Sequence, residues 1–239
     1  MSESQPSALE ERVAAYLDML SGAAPEQLLE ILPKVEKAGR GFAGVAQRIF
    51  PLLEHDDYKV RSRAFITLGR LKDSSIIPEL LAYLKQEKDE EWRLRVLECL
   101  YHFRNQKVIP DLLPLLEDYR YPMLIRGTIW LIGSLGGKEA VRIIGEFGAK
   151  PHGRIVKTEV ILEALSLAIA SIPDGTSFFA KIQKERADIA RAFRYVTLPD
   201  PEKPRFDVYP YPDYLLDRAK IQGIDAKEFK RLSFWARKL

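Results

Sequence analysis

Residues that build sites or covalent staples are scarce in this chain of 239 residues, which carries one cysteine, Cys99, and three histidines, His55, His102 and His152. A single thiol forms no intramolecular disulfide, so the fold does not depend on an oxidising compartment. The histidines show no HxxxH, HExxH or Cys/His ligand spacing, which leaves metal and other cofactors without support. No stretch supplies the run of about 18 uncharged apolar residues that a membrane span requires. The first twenty residues carry acids throughout and lack the basic start and apolar centre of a signal peptide, so a soluble, cytoplasmic protein is expected. An excess of one charge is missing too: 37 Lys and Arg face 34 Asp and Glu, and a net charge of +3 does not mark a nucleic-acid binder by itself. With 14 Gly and 15 Pro the chain is neither collagen-like nor low in complexity.

What the chain does have is a period. It aligns with itself at a spacing of 32 residues through VRSRAFITLGRL (60–71), WRLRVLECLYHF (92–103) and LIRGTIWLIGSL (124–135). The columns Val60/Trp92/Leu124/Val156, Ala64/Val96/Thr128/Val160, Leu68/Leu100/Ile132/Ala164 and Leu71/Phe103/Leu135/Leu167 are apolar apart from Thr128. Their offsets trace one face of a helix, repeated four times. A second amphipathic run follows in each unit, IIPELLAYL (76–84) and VIPDLLPLL (108–116), with Pro78 and Pro110 placed for a first helical turn. One register earlier, Leu28, Leu32 and Val35 fit the first helix and QRIFPLLEHDD (47–57) the second.

The expected fold is therefore all-α: a right-handed α–α superhelix of about five helix pairs, near 28–59, 60–91, 92–123, 124–155 and 156–190, with terminal caps. An N-terminal capping helix is expected over 7–20, started by Ser7 with Glu10 and Glu11 in its first turn. A longer helix over 178–196 would close the stack. The expected division is a repeat array over 1–196 and a Pro- and aromatic-rich extension over 197–239, with short helices at 213–222 and 225–237. The five prolines of 197–212 exclude regular helix there. The extension either folds back as a cap or acts as a peptide-like arm in this or another molecule's groove.

Val60-Arg61 with Ala64, Leu68, Gly69 and Leu71, preceded by Asp56-Asp57 and followed by Asp73 and Pro78, resembles the short bacterial HEAT-like repeat of phycobilisome lyase subunits and many unrelated scaffolding proteins. Trp92-Arg93, Val96, Leu100, Phe103 and Pro110 match again, and Ile125-Arg126 keeps the arginine one place late. The resemblance implies that the helix with the Val-Arg pair lines a concave face and that its arginine bonds an inter-repeat aspartate. On that basis Arg61 with Asp57, and Arg93 with Asp89 or Glu90, are candidate structural pairs. Tyr121-Pro122-Met123 departs from the acidic approach and interrupts any aspartate ladder in the third such unit.

Positions stepping by 32 opposite the core columns are expected to point away from the stack and to meet a partner. They include Arg63, Arg70, Arg95, Glu98, His102, Arg126, Trp130 and Leu162, with Glu159 and Glu163 interrupting the positive track. The arginines suit carboxylates or phosphates, and Trp130 suits an apolar anchor. Cys99 and His102 lie three apart on one helix, and Cys99 is read as a buried, inert thiol. The glycines of 133–137 and 39–41 are read as turn residues with positive φ. No convergent catalytic set stands out, and the leading expectation is a non-catalytic scaffold or adaptor binding a protein. Its alternatives are a nucleic-acid binder resembling HEAT-like DNA glycosylases and a tetrapyrrole lyase or chaperone-like subunit.

Overall fold

The computed structural model describes residues 7–151, 156–202 and 211–232, and every regular element among these is a helix. His152, part of the Pro-rich stretch and the end of the helix expected at 225–237 lie outside the described residues. The first helices of the five pairs are α2 (Pro25–Ala38), α4 (Tyr58–Leu71), α6 (Glu90–Phe103), α8 (Pro122–Leu135) and α10 (Thr158–Ala170); the first four have 14 residues and the last 13. Their partners α3 (Val45–Ile49), α5 (Ile77–Gln86), α7 (Ile109–Leu112), α9 (Gly137–Ala149) and α11 (Gly175–Glu185) range from four to 13 residues. The first helices thus carry the register.

Proline explains the short second helices. Pro51 and Pro114 open 3-10 turns at Phe50–Glu54 and Leu113–Glu117 that continue α3 and α7, because a proline inside an α-helix removes one donor and clashes with the preceding turn. The helix α1 (Ala8–Asp18) starts at Ser7, whose hydroxyl accepts from the Glu10 N–H while the Glu10 carboxylate accepts from the Ser7 N–H at 2.6 Å. This reciprocal cap holds the Glu10 carboxyl below its ordinary value.

Three details differ from expectation. The long closing helix is broken at Arg186, whose backbone is extended (φ −128°, ψ 96°), giving α11 and a separate α12 (Ala187–Ala192). The Arg186 guanidinium closes on Asp188 and reaches Glu146, and the bend buries Ile189 completely. The next helix, α13 (Tyr211–Ile221), begins inside the Pro-rich stretch, since Pro212 falls in its first turn; α14 (Ala226–Leu232) follows. Finally, Gly133 and Gly39 do not have positive φ, unlike Gly41, Gly136 and Gly137. A Cβ at Gly133 would meet the Ala164 carbonyl oxygen at 2.4 Å, so this glycine brings α8 and α10 into backbone contact.

The helices form two compact units. One comprises the chain to Glu87, Glu98–Phe103 and the described residues after 215; the other comprises Lys88–Leu97 and Arg104–Leu215. In the first, α1 packs on α2, α2 on α4 and α14 on α4, with Leu32, Val35, Val60, Ala64 and Leu68 fully buried. In the second, α8, α9 and α10 pack together around Leu124, Ile132, Ile144, Val160 and Ala164, which are likewise fully buried. The expected core columns are buried throughout except at Phe103 and Leu167, which are half-buried.

Replacing Gly133 by alanine forces its new methyl group into backbone that has no rotamer to move. We expect a loss of about 1–3 kcal/mol in urea unfolding; equal stability of Gly133→Ala and the parent chain would contradict the close approach.

Candidate functional site

The positions expected to face outward are mostly inside. Arg95 has no exposed surface, and Glu98, Arg126, Trp130 and Glu163 are buried as well, as are Ser62 and Leu94. The reason is that the middle first helices are covered nearly all round: eleven of the fourteen residues of α8 are buried, and in α6 every residue from Glu91 to Tyr101 is. A recurring column shows that a residue type meets the same surroundings in each unit, without showing whether those surroundings are water or protein. Arg95 pairs with Glu91 one turn back at 3.5 Å, and Arg126 donates a long contact to the Met123 sulfur at 3.7 Å. Leu162 is half-buried beside a small cavity of about 120 Å³ shared with Ile161 and Phe193.

The arginines of the Val-Arg pairs reach forward. Arg61 donates to the Tyr83 hydroxyl and to the Glu87 carboxylate, and Tyr83 donates to Glu87 at 2.8 Å. Burial pushes the Tyr83 hydroxyl well above its ordinary pKa, which keeps it a neutral donor. Arg93 lies 3.8 Å from Asp118 and over the Tyr121 ring at 4.7 Å. Asp57 and Asp89 are not the partners; they cap α4 and α6 by accepting from the N–H groups of Val60 (2.9 Å) and Glu91 (2.8 Å). An arginine side chain is long enough to pass its own cap and reach the loop before the next first helix.

At α8 the cap residue is Tyr121, whose side chain makes no capping hydrogen bond. Glu90 replaces it across the repeat: its carboxylate accepts from Met123 N (3.0 Å) and Leu124 N (3.2 Å). The interrupted acidic approach is thus repaired from the preceding first helix. Similar ties link further units: Arg104 donates to Ser134 O, Gln106 to Leu135 O, and Gly137 N to Ser171 Oγ.

Two expected residues come together. Arg63 and Arg70, two turns apart on α4, donate to the two oxygens of Glu36 on α2 at 2.6 and 2.7 Å. The site is partly open, with 12% of the Arg63 side chain, 23% of Arg70 and 14% of Glu36 exposed. Two guanidinium charges thus share one carboxylate. Burial holds Arg63 below the ordinary guanidinium range; Glu36 opposes that shift and Arg70 adds to it. The Arg63 Nε, also buried, makes no hydrogen bond. Glu36 escaped the sequence reading, although a carboxylate in the last turn of a helix opposes the dipole and so demands cations.

His102, half-buried, packs its ring where a Cβ on Gly69 would stand 2.8 Å from Cδ2, so the two residues fit as a knob and a notch. Cys99 is buried, and burial, with help from Glu98, pushes its thiol far above the ordinary value. Among the described residues no group of three His, Cys, Asp or Glu side chains has a metal-binding arrangement, and no helix is long and apolar enough to cross a membrane.

The family model described as HEAT repeats matches residues 45–127 and 77–166, together about half of the chain. No curated protein and no solved structure matches.

Two checks follow from this geometry. Glu90→Ala removes the oxygen that accepts both hydrogen bonds at the start of α8 and is expected to lower stability by about 0.5–2 kcal/mol, while Glu90→Gln retains an acceptor and loses less; equal losses in chemical unfolding would count against the cross-repeat cap. Cys99 is expected to react with Ellman's reagent only at the rate of unfolding, and rapid reaction in the native protein would contradict its inert, protonated state.

Proposed function

We propose, from the premise that this chain belongs to the HEAT-repeat family, that it is a non-catalytic scaffold taking a protein partner through the faces of its first helices. HEAT repeats are commonly protein-interaction scaffolds. Within that reading, the partner element recognised by the first unit is a carboxylate-bearing segment, and its receptor is the Arg63–Arg70 pair.

The observation that supports this is the imbalance around Glu36. One carboxylate faces two guanidinium groups in a partly desolvated site. A second carboxylate brought by a partner accepts from planar donors that are already held in place, the arrangement in which arginine binds most strongly. The other arginines first considered do not join them: Arg95 and Arg126 are buried, and Arg95 has its own glutamate. That distribution does not favour nucleic acid, which needs a track of accessible cations along a phosphate backbone.

The test uses a fluorescently labelled peptide of alternating glutamate and glycine at low salt, with anisotropy as the readout. Glu36→Gln frees both arginines and is expected to tighten binding. Arg70→Glu is expected to weaken it by about tenfold, the size of one charge-assisted hydrogen bond. Circular dichroism checks that both variants keep their helices. Identical affinities for parent, Glu36→Gln and Arg70→Glu would remove the pair from the proposal.

A further inference from the structure

A second surface lies wholly within the other unit, on the side of its second helices. The 3-10 turn Leu113–Glu117 and the following Tyr119 stand against α9 and enclose a half-open groove of about 610 Å³. That volume is in the range of about 300–1,000 Å³ typical of ligand-binding clefts. Its floor is apolar: Leu116 and Phe147 are buried, Ile143 is half-buried, and Leu113 and Tyr119 remain 37% and 48% exposed. Large apolar side chains left in water around a concavity mark a surface meant to be covered.

The rim is acidic. Glu117, Glu139 and Glu146 border the groove against a single lysine, Lys150, and all four are exposed. Two further cations stand close by. Arg142 is 4.0 Å from Glu139, with both side chains mostly in solvent. Arg186 reaches Glu146 at 2.8 Å but divides its charge with Asp188, whose carboxyl it holds down at about 2. Glu117 is the rim carboxylate nearest the exposed Leu113 in sequence, and the Glu117–Tyr119 stretch places an acid beside an aromatic floor.

We infer that this groove docks a basic amphipathic segment of a partner protein, one that buries a large apolar side chain against Leu113, Tyr119 and Ile143 while its lysines or arginines meet Glu117 and Glu139. The charge pattern selects the sign of the partner, and the apolar floor supplies the affinity. The surface is separate from the Arg63–Arg70 pair and selects the opposite charge, so a partner or probe that fails at one site leaves the other untouched.

The probe is a short labelled peptide of lysine, leucine and phenylalanine, paired with a counterpart in which glutamate replaces lysine. At low salt the basic peptide is expected to bind, and hydrogen exchange is expected to slow over 113–119 and α9. Glu117→Lys with Glu139→Lys, both exposed, is expected to weaken binding by about tenfold or more, and Tyr119→Ser weakens it without changing the preference for the basic peptide. The inference is overturned if the basic peptide does not bind, if both peptides bind alike, if the double variant binds unchanged, or if protection falls on other helices. Sedimentation of the chain alone covers the remaining occupant: a dimer that protects 113–119 would give the groove to a second copy and overturn the inference.

Discussion

A helix buried on nearly every side has no water to turn to, so each of its polar groups must be satisfied by a neighbour or it destabilises the fold by several kcal/mol. The helix α8 is in that position, with eleven buried residues of fourteen. Most of what is distinctive in the chain answers this constraint. Gly133 lets α8 lie against the backbone of α10, and Glu90 supplies the cap that Tyr121 does not. Arg95, fully enclosed, has Glu91 on its own helix. The N–H groups of Met123 and Leu124, which a surface helix would give to solvent, here tie one repeat to the next, while the buried hydroxyls of Thr128 and Ser134 make no hydrogen bond.

The same constraint divides labour between the two helices of a unit. First helices keep nearly constant length, α2 even with Pro33 in its interior, whereas the second helices vary and pass into 3-10 turns at Pro51 and Pro114. Variation in the second helices is what opens a groove beside the turn at Leu113–Glu117, where α7 stops after four residues. Charges left incompletely balanced are also informative. At Glu36 the surplus is positive and partly buried; along the groove of the second unit it is negative and exposed. Both follow from side chains that the packing of the repeats holds in position.

The repeated column of caps was legible in part. Asp57 and Asp89 stand where a first helix should begin, and they cap it. Their neighbours Arg61 and Arg93 invited pairing with these same acids, yet each guanidinium goes to Glu87 with Tyr83, or to Asp118 with Tyr121. A side chain as long as arginine reaches several alternatives. Spacing along the chain ranks those alternatives poorly.

By itself the sequence determined the register of 32 residues, the all-α class, the core columns and the HEAT-like character, because burying an apolar stripe at helical period has one cheap solution when the stripe recurs. It also named Arg63 and Arg70, in separate columns, among the residues offered to a partner. Only the tertiary structure decided that Arg95, Glu98, Arg126 and Trp130 lie inside, that Glu36 joins the two arginines, and that an acidic groove forms beside α9. Periodicity records that an environment recurs; whether it is solvent or protein depends on what packs over it, and that is set by contacts between residues far apart in the chain.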